Sequence, residues 1–428
     1  MSVQRKKIIL IGGGFAGMEF AKKISKRGEY DLLLLDKQNH HQFQPLFYQV
    51  ACSMVESNSI IFPFRKAFQK AKNMKYRMAE VQSVNTAEKY VVTDIGNFSY
   101  DYLVIGFGCT TNFFGNEEIR ANALTLKSTQ EAIAVRDHIL SNFEHVLAVE
   151  DPAEREEYMN IVVVGGGPTG VELAGSFAEM KNKILPKDFT FFDFSKLNIV
   201  LLEGSPNTLN PMSENAHEKS RKYLLDLGVD LRTSTVVKHY DGHTVTLSTG
   251  ETIKSRNVIW AAGVTANTIQ GLDKAEMVRG NRMKVDRYNK VMGYDDVFAI
   301  GDISYMETPK YPNGHPQLAN VAKNQGKNLA SNFVKSEDPS VWKEYEYRDL
   351  GSMATIGKNK AVVDLPRFKF SGFFAWLVWM FLHLMLILTV KNRLIILLNW
   401  ATSYFSSDSS LRVILHDPFK KKKSEQQG

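Results

Sequence analysis

Short apolar runs alternate with longer stretches in which apolar residues recur at helical spacing. Ile8–Ile11 reads as a buried strand, Phe15–Arg27 as a helix with Phe20, Ala21 and Ile24 on its apolar face, and Leu32–Leu35 as a second buried strand. Strand, helix and strand within about 30 residues form the unit of a parallel sheet. The same order returns at Ile161–Val164, Val171–Met180 and Ile199–Leu202. Shorter strands are expected at Tyr90–Thr93, Tyr102–Ile105, Asn257–Ala262 and Val297–Ile300, and a hairpin across Val236–Leu247 turning at Asp241-Gly242. The pattern changes near Phe370. Phe373–Val390 is 18 residues with only His383 and Thr389 polar, and Leu394–Leu415 is amphipathic, with Asn399, Ser403, Ser406 and Ser410 at helical spacing.

Each strand–helix junction carries the same glycine spacing. The first is Gly12, Gly14 and Gly17, and the second Gly165, Gly167 and Gly170. The first glycine permits a tight turn, the second lets backbone approach a pyrophosphate, and the third lets helix and strand pack closely. The helix amino end offers free N–H groups and a positive dipole to phosphate. Asp36 ends the second strand, 24 residues after Gly12, placed to accept from an adenosine ribose. Glu203 is its counterpart, 38 residues after Gly165, the longer gap reflecting an insertion around Lys181–Lys196. Gly204-Ser-Pro206 follows with no arginine for a 2′-phosphate, which favours NADH over NADPH. Two fingerprints imply two dinucleotides, a flavin on the first and a nicotinamide on the second.

Composition narrows the class. The 428 residues are 44% hydrophobic and 23% charged, a globular balance with room for two or three domains. A mean hydropathy below zero excludes a polytopic membrane protein. Arg5, Lys6 and Lys7 precede only four apolar residues, too few for a secretory signal, so nothing directs export. Two cysteines, Cys52 and Cys109, exclude a disulfide scaffold and a multi-cysteine metal site, and no metal is expected. They lie 57 residues apart, without the close pair a disulfide reductase needs, and read as small buried apolar groups. The net charge of +7 is dispersed except at Lys420–Lys423, which argues against nucleic acid.

These residues resemble the two-dinucleotide flavoproteins and, more closely, the type II, non-proton-pumping NADH dehydrogenases. The likeness runs from about residue 6 to 415. It is carried by Asn39–Ala51, similar to the family's loop beside the flavin, by Asp101–Ile105 with Thr111–Gly115, and by Val297–Asp302, similar to the segment whose aspartate holds the flavin's ribityl and phosphate region, which implies that Gly301 and Asp302 bind the cofactor. Gly351–Gly357 and Phe373–Trp379 extend it to the C-terminal region. The resemblance implies an α/β fold with two Rossmann-like domains, for FAD and NAD, plus a C-terminal amphipathic helical anchor. Expected boundaries are 1–120 with 270–345 for FAD, 155–265 for NAD(H), and 346–428 for membrane association. It implies FAD bound non-covalently, NADH as donor, and Glu172 near the nicotinamide–flavin junction. In the residues alone, Glu172 reads also, as the lesser alternative, as a first-turn carboxylate suited to the helix dipole. The family's Ala-Gln-x-Ala-x-Gln quinone motif is matched by Ala319-Asn-Val-Ala-Lys-Asn324, so Asn320 and Asn324 replace two glutamines, with shorter reach and the same amide chemistry. A second departure, Gly106-Phe-Gly-Cys109, puts an aromatic at Phe107.

The implied function is NADH:quinone oxidoreduction without proton pumping, peripheral on the cytoplasmic face of a membrane, with quinone and the lipid surface as partners. Trp376, Trp379, Trp400, Lys391 and Arg393 favour an interfacial anchor. A spanning helix or a homodimer interface are the other uses of that apolar tail. A membrane-docked FAD/NADH redox sensor, or a flavin oxidoreductase with another acceptor, are the competing functions.

Overall fold

The computed structural model describes residues 5–190, 192–336, 338–406 and 410–416. The chain forms two compact units. One comprises Met1–Gln42, Phe62–Thr110 and Val264–Arg348; the other comprises Phe43–Ile61, Thr111–Gly263 and Asp349–Gly428. Each contains one of the glycine fingerprints.

The first unit is built on a five-stranded parallel sheet in the order Val297–Ala299, Tyr102–Ile105, Lys6–Ile11, Tyr30–Asp36, Met74–Met78. Its central strand is apolar on both faces from Ile8 to Ile11, as a sheet covered on both sides requires. The Phe15–Ile24 and Ala319–Lys335 helices pack against one another so closely that a Cβ on Gly326 would fall on the Ala16 carbonyl. Phe333 from the second helix meets Phe20, Tyr30, Tyr102 and Phe298 edge-on.

The second unit repeats the plan with four parallel strands, Val229–Arg232, Asn198–Leu202, Asn160–Val164 and Asn257–Trp260. The expected strands, the Asp241-Gly242 hairpin and both glycine-loop helices are present within a few residues of their expected bounds. The first helix stops at Ile24 rather than Arg27, because the N–H groups of Lys26 and Arg27 turn back three residues, to the carbonyls of Lys23 and Ile24, instead of four.

The C-terminal stretch is two helices, Phe373–Leu386 and Val390–Ser406, broken at Ile387–Thr389. Arg393 fixes the break by donating to the carbonyls of Met385 (2.8 Å) and Ile387 (2.9 Å), the free acceptors at the end of the first helix. Among the described residues no helix is long and apolar enough to cross a membrane. One stripe of the pair is buried (Ala375, Trp379, Ile396, Trp400) against a three-stranded antiparallel sheet, Ser352–Gly357, Lys360–Asp364 and Lys369–Ser371, and the elements around it. The opposite stripe exposes Phe374, Phe381, Leu398 and Phe405, the last at 86%. Lys420–Lys423 lie outside the described residues.

The contact of Gly326 with Ala16 predicts a specific sensitivity. Gly326→Ala should lower stability by about 1–3 kcal/mol through overpacking against backbone. Gly28→Ala, at an exposed turn with open space around it, should stay within about 0.5 kcal/mol. Denaturant midpoints at equal m-value check the pair, and equal midpoints would contradict the packing described.

Candidate functional site

The two fingerprints fold into the same local structure. Gly12 has φ +96° and Gly165 has φ +110°, a region open to glycine at little cost. A Cβ at Gly12 would meet Gly106, and one at Gly165 would meet Ala261 and Ala262. Gly17 lies on the Gly12 carbonyl and Gly170 on that of Gly165, so neither tolerates a side chain. Gly14 and Gly167 differ. A Cβ at Gly14 meets only the Gly106 carbonyl oxygen at 3.9 Å, and one at Gly167 meets nothing within 4 Å. The protein leaves open the position where backbone would approach a phosphate.

Gly14 and Gly167 are also the N-caps of their helices, and neither helix has a side-chain cap. Two long helices away from the glycine loops are capped by a side chain, Thr129–Val146 by Ser128 and Glu214–Asp226 by Ser213. The uncapped amino ends keep N–H groups available for an anion. Both cradles therefore fit a dinucleotide pyrophosphate.

The two acids sit where expected and have local partners as well. Asp36 accepts from the N–H of Gly13 (2.6 Å) and of Gln38 (2.7 Å), and burial raises its pKa despite these bonds. Glu203 accepts from Ser205 N and Oγ, both 2.6 Å, and from Gly166 N. Arg232, on the neighbouring strand, has its guanidinium engaged by Asp230 and Glu251, each at 3.0 Å.

Gly301 and Asp302 occupy a short 3-10 turn after the Val297–Ala299 strand. Its anchor escaped sequence reasoning. Gln325, fully buried, accepts from Gly301 N (2.7 Å) and Ser304 Oγ (2.9 Å). Arg282 donates to the carbonyls of Ser304 and His315. Gln317 donates to the Asp302 carbonyl (3.0 Å) and to Cys109 Sγ (2.9 Å). Neither Cys52 nor Cys109 is in a disulfide; Cys52 is buried as expected, whereas Cys109 is only partly buried. Phe107 is packed against the apolar core of the first unit.

Asn320 and Asn324 share one face at the start of the Ala319–Lys335 helix, as their spacing of four requires. They bond to one another, Asn324 Nδ2 donating to Asn320 Oδ1 at 3.0 Å. Among the described residues the Asn320 amino group and the Asn324 carbonyl oxygen have no further side-chain or backbone partner.

Glu172 is the fifth residue of the Pro168–Lys183 helix, past the first turn, so the first-turn dipole placement is not what the structure shows. Its carboxyl is buried and its pKa is raised to about 8. Burial is the cause; the Thr355 N–H (3.4 Å) and the Trp379 indole oppose it weakly. At neutral pH it is a neutral acid, able to donate. Tyr48, Cys52, Thr355, Trp379 and Trp400, from the same unit, border a cleft at this helix.

Residues 6–326 match the family model for pyridine nucleotide-disulphide oxidoreductases, and residues 350–407 match the NDH2 C-terminal domain. The chain is 33% identical to the type II NADH:quinone oxidoreductase Ndh of Mycobacterium tuberculosis, over 94% of this chain and 89% of that protein. It belongs to the type II NADH:quinone oxidoreductases. A type II NADH:quinone oxidoreductase of Staphylococcus aureus is 26% identical over 85% of this chain and 90% of its own length. Among solved structures, NDH2 of Plasmodium falciparum in complex with NADH has the same fold, with TM-score 0.88 at 22% identity over 96% of this chain and 100% of that one. The sulfide:quinone oxidoreductase of Aquifex aeolicus shares the fold more loosely, at TM-score 0.72 and 17% identity over 96% of each chain. As a type II enzyme the chain uses FAD and NADH, and it is an oxidoreductase of the non-pumping kind.

Two outcomes test the site. Gly14→Val should fold, because its surroundings are open, yet give colourless protein, because the added methyls occupy the phosphate's place; full flavin occupancy would contradict the cradle. Glu172 has a folded pKa above its unfolded value, so the folded state holds a proton that the unfolded chain loses between about pH 4.5 and about pH 8. Stability should fall as pH rises through that window, with a slope of up to about 1.4 kcal/mol per pH unit from this group. Glu172→Gln should flatten the dependence of melting temperature on pH, and an unchanged profile would show that Glu172 titrates normally.

Proposed function

We propose that this chain oxidises NADH held on the second fingerprint, with FAD held on the first, and passes the electrons to a quinone at a membrane surface. The observation that carries this reading is the duplicated open cradle, one per unit, together with a buried neutral acid on the helix that the second cradle opens. Bound FAD and NADH supply the hydride chemistry and carry two electrons onward to the acceptor. The residues align, exclude water and hold protons. Gly12, Gly14 and Gly17 with Asp36, and Gly301 with Asp302, hold FAD. Gly165, Gly167 and Gly170 with Glu203 hold NADH. Glu203 repels a 2′-phosphate, and Arg232, already engaged by two carboxylates, offers none a counter-charge. Glu172 keeps a proton in an apolar surrounding at the junction. Asn320 and Asn324 present their unspent donor and acceptor to the quinone.

Membrane association suits a lipid-soluble acceptor. The exposed stripe of Phe374, Phe381, Leu398 and Phe405, with Lys391 also exposed, is the pattern of an interfacial helix pair. The cytoplasmic face follows from where NADH is supplied. A homodimer is the competing use of the same stripe.

Two experiments test this reading. Asn320→Ala and Asn324→Ala should each lower kcat/KM for quinone about tenfold, the cost of one lost hydrogen bond, with the loss confined to the oxidative half-reaction in stopped flow. Unchanged quinone kinetics would make the pair structural. Deleting the C-terminal helices is a poor test, since Trp379 and Trp400 are part of the interior. The triple change Phe374→Asp, Phe381→Asp, Phe405→Asp is cleaner. It should weaken binding to phosphatidylglycerol vesicles by about 100-fold or more, each Phe contributing about 1.5–3 kcal/mol when buried in lipid. Unaltered vesicle binding, or a dimer that the triple change dissociates, would contradict the interfacial reading.

A further inference from the structure

The second unit holds a cleft that is partly open to solvent. Tyr48, Trp376, Trp379, Met380, Trp400 and Tyr404 give it an aromatic, mostly apolar wall. A flat ring with an apolar tail fits such a lining. Its charged groups are already engaged. Glu179 accepts from Lys358 N (3.0 Å) and Lys183 Nζ (3.1 Å), and Lys358 Nζ lies over the Tyr404 ring at 3.9 Å.

One short chain of hydrogen bonds in this wall has a fixed direction. Trp400 Nε1 donates to Gln49 Oε1 at 2.8 Å. An indole N–H can only donate, so Gln49 must turn its oxygen toward Trp400 and its amino group away. That amino group donates to the Tyr48 hydroxyl oxygen at 2.9 Å. The oxygen is thus used as an acceptor, and among the described residues no group accepts the phenolic hydrogen. Tyr48 is 2% exposed and lines the cleft. Burial and the nearby Glu172 both push its pKa up, so the hydrogen stays on the oxygen. A buried hydroxyl with an unused hydrogen costs free energy unless an acceptor meets it.

We propose that Tyr48 donates a hydrogen bond to a carbonyl oxygen of the quinone seated in this cleft, and that Gln49 and Trp400 are positioning residues that set the direction of that donor. The proposal rests on the quinone-reductase reading given above but seats the quinone in this cleft instead of on Asn320 and Asn324, so the quinone kinetics of Asn320→Ala and Asn324→Ala decide between the two placements. A quinone carbonyl is an acceptor with no hydrogen of its own, and it gains negative charge on reduction, so a fixed donor serves binding and reduction alike. Trp400 lies on the Val390–Ser406 helix, whose outer side carries the apolar stripe. The same helix that faces lipid therefore orients the donor inside.

The test uses the full-length holoenzyme with NADH and two acceptors, a short-chain quinone and ferricyanide, an inorganic oxidant that needs no apolar cleft. Tyr48→Phe removes only the hydroxyl, and Gln49→Met keeps length while ending the polar chain. Each should lower the ratio of quinone to ferricyanide turnover about tenfold at unchanged flavin content, and the double variant should lose no more than either alone. An unchanged ratio in Tyr48→Phe would overturn the donor, and fully additive losses would overturn the positioning role. Ser176→Trp, which fills the cleft from its wall, separates this proposal from the underlying reading. Wild-type quinone turnover that survives Ser176→Trp leaves the enzyme a quinone reductase and removes the cleft as its site. Absent wild-type quinone turnover removes the function itself.

Discussion

The architecture depends on backbone pressed against backbone at two glycine loops. Gly17 on the Gly12 carbonyl and Gly170 on the Gly165 carbonyl bring each helix onto its strand with no side chain between. That contact aims an uncapped helix end along the carboxyl edge of a parallel sheet, and it sets Asp36 and Glu203 beside their loops. Parallel sheets place ligands at that edge because the strand order reverses there. In the first unit, Lys6–Ile11 pairs with Tyr30–Asp36 on one side and Tyr102–Ile105 on the other. In the second, Asn160–Val164 lies between Asn198–Leu202 and Asn257–Trp260 in the same manner. The duplication lets one chain hold a donor and an acceptor with a single structural solution.

The C-terminal helices bury one apolar stripe and expose another. Here the buried stripe supplies Trp379 and Trp400 to the interior, while Phe374, Phe381 and Phe405 remain outside. The break at Ile387–Thr389, held by Arg393, lets one apolar stretch serve as two short helices instead of a single long one. Burial then has a chemical consequence. The carboxyl of Glu172 loses water, gains only weak partners, and stays protonated at neutral pH.

Features that depend on local spacing were legible in the sequence. Both fingerprints, their acids, the Asp241-Gly242 hairpin and the i,i+4 pairing of Asn320 with Asn324 are fixed by neighbours along the chain. What escaped depends on long-range contacts. Nothing in the sequence marks Gln325 as the buried acceptor beneath Gly301, because its partner is 24 residues away. Arg282 reads as an ordinary surface cation until its guanidinium is seen under Tyr305 (5.1 Å), holding two backbone carbonyls. The Thr129–Val146 helix carries eleven buried residues, including Arg136, Asp137 and Asn142, whose polarity hides its inward face. The placement of Phe43–Ile61 with the second unit, and hence of Gln49 beneath Trp400, follows from contacts 351 residues apart in sequence.

The central claim is that two cradles serve one electron path from NADH through FAD to quinone. An anaerobic absorption titration of the purified protein tests it most directly. The account predicts a flavin spectrum at one FAD per chain, bleached by one equivalent of NADH and restored by one equivalent of quinone. Protein that is colourless, or a flavin that NADH does not bleach, or a bleached flavin that quinone leaves reduced, would contradict it.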